Sequence, residues 1–261
     1  MKTVYKQYGE KASIAKWVVS HFPEHKVYLE PFCGSCIVLF EKPKSFVEIV
    51  NDLDGRIINM FNIIRSNPKE LAAQLWATPY SSANWRDQKI SEDGLEDARL
   101  LIAEGCQFYC GNRTSSTWAI DKCGKSHKPK SEVWADWFLR ILPAANRLRT
   151  VQIVQEDATK AIERVYNDPG ALIYVDPPYL GHEKEYAYTV DYGRMAEMLN
   201  SAKCRVIISE YPEADKFFGK WRKVEKTMAG RARTGRHNTK AKKKTEVLFM
   251  NYNEADRDDI F

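Results

Sequence analysis

No stretch of the 261 residues approaches eighteen consecutive apolar side chains, so none reads as a membrane-spanning helix. The amino terminus, led by Lys2, also lacks the apolar block of an export signal, and the expected setting is cytoplasmic. Cysteine chemistry is thin: six cysteines in a chain without such a signal read as reduced thiols. Cys33 and Cys36 form a C-x-x-C, and Cys106, Cys110 and Cys123 share one region. Neither group has the paired spacing of a zinc site, so no metal is expected. Internal repeats are lacking too. With 44% hydrophobic and 29% charged residues, the composition suits one large core, or a core with a lobe.

What is present centres on Ala171-Leu-Ile-Tyr-Val-Asp-Pro-Pro-Tyr179. A short run that is apolar on both faces predicts a buried strand of a parallel sheet, and Pro177 and Pro178, without amide donors, end it. Asp176 then stands at the strand's carboxyl end, where open α/β sheets bind ligands. Its carboxylate and the Pro177 carbonyl can each accept a hydrogen from an exocyclic amine. Pro178 keeps the turn stiff, and Tyr179 offers a ring to stack on a planar base. The plainer reading is a strand closed by a Pro-Pro turn with a surface tyrosine.

Earlier in the chain, helical spacing over 9–21 precedes a short strand, Val27 to Phe32. Cys33-Gly-Ser-Cys36 then opens into the apolar Ile37 to Phe40. A glycine in such a strand-to-helix turn lets backbone amides approach a cofactor; Gly34 has that place and Ser35 is small enough to assist. A second strand, Phe46 to Val50, ends in Asn51-Asp52. Asp52 lies eighteen residues beyond Gly34, near the spacing at which an acidic side chain meets ribose hydroxyls. Helical patterns follow from Ile57 to Ile64, over 69–77 and over 95–108. The segment 67–149 is too long for a simple crossover and reads as a mainly helical lobe inserted into a domain made of 1–66 and 150–261. In it, Trp134, Trp137, Phe138, Ile141, Leu142, Ala145 and Leu148 form an amphipathic stripe expected to pack in the core.

The sheet resumes at Val151 to Val154. Asp157, just beyond, could meet an adenine amine or cap the next helix. Leu180 to Asp191 has the length of a lid, Arg205 to Ser209 reads as a strand, and strands near 220–228 and 245–252 read as an antiparallel hairpin. The net charge of +5 is unevenly spread: Arg231, Arg233, Arg236, Lys240, Lys242, Lys243 and Lys244 crowd the hairpin's connection, and Arg113, Lys122 and Lys125 lie in a second basic stretch. Such clusters suit a polyanion such as DNA, or no more than a solvated loop.

Taken in order, these segments resemble the Dam-like family of DNA adenine-specific methyltransferases over nearly the whole chain. Gln7-Tyr-Gly-Glu-Lys11 looks like the family's amino-terminal cofactor segment, Glu30-Pro-Phe-Cys-Gly-Ser35 like its glycine motif, and Val50-Asn-Asp-Leu-Asp54 like its ribose-binding segment. Asp176-Pro-Pro-Tyr179 looks like the catalytic tetrad, while Ser209-Glu-Tyr211 and Glu246 to Asn251 resemble the closing motifs. Ser35 and Cys36 stand where the commoner motif has further glycines. The resemblance implies an α/β fold: a Rossmann-like seven-stranded methyltransferase sheet, last strand antiparallel, with an inserted target-recognition lobe. It implies S-adenosylmethionine as methyl donor, contacted by Gln7, Tyr8, Lys11, Glu30, Phe32, Gly34, Ser35, Asp52, Asp157 and Asp176. It also implies double-stranded DNA as substrate, flipped one adenine at a time, with Asn112 and Arg113 in the recognition region. Cytosine or RNA acceptors, and a non-catalytic DNA-binding protein on a decayed methyltransferase fold, are the alternatives.

Overall fold

The computed structural model describes residues 1–7, 11–82, 90–108, 118–121, 128–181, 188–228 and 244–253. Seven strands form one mixed sheet: β1 (Val27–Glu30), β2 (Val47–Asn51), β3 (Val151–Val154), β4 (Ala171–Val175), β5 (Arg205–Glu210), β6 (Arg222–Met228) and β7 (Lys244–Met250), in the order β3-β2-β1-β4-β5-β7-β6. All five β4 residues are buried, as a strand covered on both faces requires. β4 runs parallel to β1, with Val27 beside Ala171, and parallel to β5, with Leu172 beside Arg205. The strand order reverses between β1 and β4, the kind of place where α/β sheets bind ligands. The expected hairpin of β6 and β7 forms, and β7 is antiparallel to β5 as well, so the last strand lies inside the sheet. β6 is left at the edge, where alternating exposure and a charged face discourage further pairing.

The described residues group into two compact units: Met1–Ser20, Cys33–Lys44 and Val50–Gln155; and His21–Phe32, Ser45–Ile49 and Glu156–Phe261. In the first, α1 (Ala15–Val19) packs on α2 (Ile37–Glu41). A larger cluster joins α3 (Gly55–Ser66), α4 (Pro68–Ala77), α5 (Gly94–Gln107) and α7 (Ile141–Leu148) through Phe61, Ile64, Leu71, Leu101, Ile141 and Leu148. Arg56 on α3 is paired with Asp97, 2.8 Å away on α5. The amino-terminal strand of chain is tied down by Trp137, whose indole N–H donates to the Val4 carbonyl at 2.7 Å, and by Arg140, which lies 3.4 Å over that indole. The second unit adds α8 (Ala158–Glu163), α9 (Tyr192–Asn200) and α10 (Asp215–Phe218). Among the described residues no helix is long and apolar enough to cross a membrane.

Two expectations are corrected. The helix expected over 9–21 is confined, among the described residues, to α1; the Ser20 hydroxyl bonds back to the Trp17 carbonyl, and Pro23 follows. The stripe from Trp134 to Leu148, expected to pack in the core, does so only in part, because it is divided among α6 (Lys130–Ala135), a 3-10 turn over Trp137–Arg140, and α7. Pro143 is the reason, because in a continuous helix its ring would meet the carbonyl of residue 139. The break leaves Phe138 half-buried and Leu142 exposed, while Trp134, Trp137, Ile141, Ala145 and Leu148 stay buried.

Candidate active site

The glycine turn belongs to the first unit. Gly34 has φ +46°, a conformation open to glycine at no steric cost, and a Cβ there would stand 2.0 Å from Nε2 of Gln7. Its amide donates to Oδ2 of Asp52 at 2.9 Å, and the Asp54 amide donates to Oδ1 at 3.0 Å. The eighteen-residue spacing read from the sequence is thus a direct bond, and two amides fix the plane of a half-buried carboxylate. The Cys33 amide, bonded to the Asn51 carbonyl at 2.9 Å, ties the turn to the end of β2. Cys36 holds φ 52° and ψ 24°, the left-handed region that a side chain disfavours. Ser35 is buried, and Lys11 is buried at the foot of α1, its carbonyl accepting from the Ile14 and Ala15 amides.

The second unit carries the Pro-Pro turn. Asp176 follows β4 directly and is half-buried. Pro177 and Pro178 end the ladder as their chemistry demands, and Tyr179 is almost wholly buried. Its hydroxyl donates to Glu246 of β7, which also accepts from the Ser209 hydroxyl at 2.5 Å. The Tyr211 ring stands edge-on to Tyr179, centroids 4.5 Å apart. Burial, then the charges of Asp176 and Glu246, push the Tyr179 phenol well above its ordinary range, so it stays a neutral donor. Asp157 caps α8: its Oδ1 accepts from the Thr159 amide at 2.9 Å and from the Thr159 hydroxyl, which holds the carboxyl below the usual carboxylate range. Glu30 is buried and accepts from the Tyr28 hydroxyl at 3.0 Å; Phe32 is half-buried.

Residues 8–94 and 130–248 match the D12 class N6 adenine-specific DNA methyltransferase family, most of the chain's length. The chain belongs to that family. By class it is an adenine-specific DNA methyltransferase. Solved structures similar to this methyltransferase include a precorrin 8w decarboxylase of Methanobacterium thermoautotrophicum, at 9% identity over 96% of this chain and 97% of that one, with a TM-score of 0.40. A Pyrococcus horikoshii protein provisionally assigned as an RNA methyltransferase matches at 9% identity over 96% and 88%, TM-score 0.36. The 23S rRNA methyltransferase ErmE matches at 9% identity over 96% and 73%, TM-score 0.32.

Tyr8, Asn112, Arg113, Lys122, Lys125, Arg231, Arg233, Arg236, Lys240, Lys242 and Lys243 lie outside the described residues of the methyltransferase. Sequence reasoning gave no role to Ser209, Glu210, Tyr192 or Glu246, although the first two and Glu246 fall in segments that resemble the closing motifs. Glu210 ends β5 just as Asp176 follows β4, so the signal that found one carboxylate, an apolar run closing on an acid, was present for the other.

Proposed function

We propose that this methyltransferase transfers a methyl group from S-adenosylmethionine to the exocyclic 6-amino nitrogen of an adenine extruded from duplex DNA. The observation that carries the proposal is the rigid turn beyond β4: a carboxylate, a prolyl carbonyl and a phenol ring leave a fully buried strand in fixed succession, with the phenol anchored on Glu246. In this reading Asp176 and the Pro177 carbonyl accept the two amine hydrogens. That draws the nitrogen lone pair out of conjugation with the ring and aims it, while Tyr179 bears on the base.

The donor is held by residues of the glycine turn. A nucleoside cofactor calls for a fixed carboxylate to meet vicinal ribose hydroxyls and a tight main-chain turn; Asp52, held by the Gly34 and Asp54 amides, and Gly34, whose missing Cβ leaves room for the Gln7 amide, support this reading. Gln7, Tyr8, Lys11, Glu30, Phe32, Ser35 and Asp157 complete the proposed cofactor contacts. Bound S-adenosylmethionine supplies an electrophilic methyl on a sulfonium. Asp176 orients the acceptor and needs no unusual basicity for that. Because the amine is paired within the duplex, the base must leave the stack. The segment 67–149, with Asn112, Arg113, Lys122 and Lys125, serves as the target-recognition region. Arg231, Arg233, Arg236, Lys242 and Lys243 hold phosphates.

The test is nucleoside mass spectrometry of DNA and RNA incubated with the purified protein and labelled donor. N6-methyladenine in DNA is expected; methylcytosine, or methylation of RNA alone, would replace the acceptor. Donor-independent DNA binding without any product would favour a decayed enzyme. Asp176→Ala is expected to lose methyl transfer and to keep DNA affinity. Transfer at the wild-type rate would remove Asp176 from the chemistry.

A further inference from the structure

Glu210, the last residue of β5, has no exposed surface. Among the described residues three donors converge on its carboxylate: the Tyr211 amide on Oε1 at 2.7 Å, and the Leu180 amide at 3.2 Å with the Tyr192 hydroxyl at 2.5 Å on Oε2. Leu180 directly follows Tyr179, Tyr211 sets its ring against that of Tyr179, and Tyr192 opens α9. Among the described residues no lysine or arginine pairs with Glu210. A buried carboxylate without a cation is a costly group, kept where its acceptor capacity is needed. Here both oxygens must accept. A tyrosine hydroxyl can turn to receive a proton, but a main-chain N–H cannot, so an acid or an amide in this place must weaken its hold on Leu180 or Tyr211.

We propose that Glu210, as the carboxylate, is a positioning residue of methyl transfer: by holding Leu180 and Tyr211 it sets the Asp176–Tyr179 turn in the arrangement that receives the adenine amine. The inference rests on the function proposed above. Burial and the Asp176 charge push the Glu210 carboxyl up to about 7, against the opposing pull of its three hydrogen bonds. Among the described residues the other titratable group bonded to it is Tyr192; Glu246 on the neighbouring β7 is engaged with Tyr179 and Ser209. Protonation of Glu210 therefore loosens the turn within the physiological pH range.

The experiment measures methylation of duplex DNA by the full chain from about pH 5.5 to about 8.5, with wild type, Glu210→Gln and Tyr192→Phe. Wild-type kcat/KM, which reports the free enzyme, is expected to fall on the acid side with a midpoint near 7. Glu210→Gln should lose that limb and about 10- to 100-fold in kcat at alkaline pH, while DNA affinity stays within about threefold. Tyr192→Phe keeps both main-chain bonds but removes a charge-assisted one, so its limb should move up by about one pH unit. Wild-type kcat and an unmoved limb in Glu210→Gln, or a wild-type midpoint in Tyr192→Phe, overturn the inference while leaving the methyltransferase reading intact. If Glu210→Gln does not fold, the Tyr192→Phe midpoint decides. A wild type that makes no methyladenine at any pH overturns both.

Discussion

Gly34 shows how a single missing side chain organises the turn between β1 and α2. A methyl group there would strain the backbone at φ +46° and displace the Gln7 amide, 2.0 Å from the ideal Cβ position. Gly34→Ala is expected to cost about 1–2 kcal/mol of stability and to weaken donor binding, checked by thermal melts and calorimetry on one preparation. Unchanged donor affinity in a destabilised variant would take Gln7 out of the cofactor site. Glu210 gives a residue-scale effect of opposite sign in pH. Its folded-state value of about 7 lies above the ordinary 4.5, so between those values the folded chain keeps a proton that the unfolded chain releases. Its contribution to stability is therefore present at low pH and lost as pH rises through about 7. The melting temperature of wild type relative to Glu210→Gln should rise on acidification across that window, while activity falls. A constant difference would refute the assignment.

At the scale of elements, α8 separates two roles of one residue. Asp157 caps the helix through Oδ1, so Asp157→Ala should lose about 1 kcal/mol, whereas Asp157→Ser can rebuild the cap and lacks only the carboxylate. Weaker donor binding by a fully stable serine variant would assign Asp157 to the cofactor; unchanged binding would leave it a cap. Elements of this kind were legible in the sequence to the degree that their signals are local. β4 announced itself by an unbroken apolar run stopped by two prolines, and the Gly34 to Asp52 spacing read as the turn and acidic residue that the fold bonds together. The stripe from Trp134 to Leu148 gave the buried Trp134, Trp137, Ile141, Ala145 and Leu148 but not the exposed Leu142, because its spacing was weighed without Pro143. Partners distant in sequence left no local trace. The pairing of Arg56 with Asp97, and of Tyr179 with Glu246, depends on which elements become neighbours, and strand register is settled by the assembled sheet.

For the whole molecule, the electrostatic balance decides how DNA is met. A net charge of +5 is small, so the proposed source of affinity for a polyanion is the local crowding of cations between β6 and β7 and in the 111–130 stretch. Neutralising Lys242, Lys243 and Lys244 together should weaken binding on every sequence alike and flatten the dependence of log affinity on log salt by roughly two to three units of slope. A slope equal to that of wild type would show that these lysines stay in solvent. Loss confined to one target sequence would instead make them readers of bases.

The placement of β7 has a consequence in time. Translation delivers β5 and β6 before the strand that must seat against both of them, and Glu246 arrives with that strand. A nascent polypeptide that has reached only residue 243 has an open flank along β5 and lacks the Glu246 carboxylate that receives the Tyr179 hydroxyl. A chain truncated there is expected to lose methyl transfer and to self-associate through that border. Methyl transfer is expected only once β7 has joined the sheet.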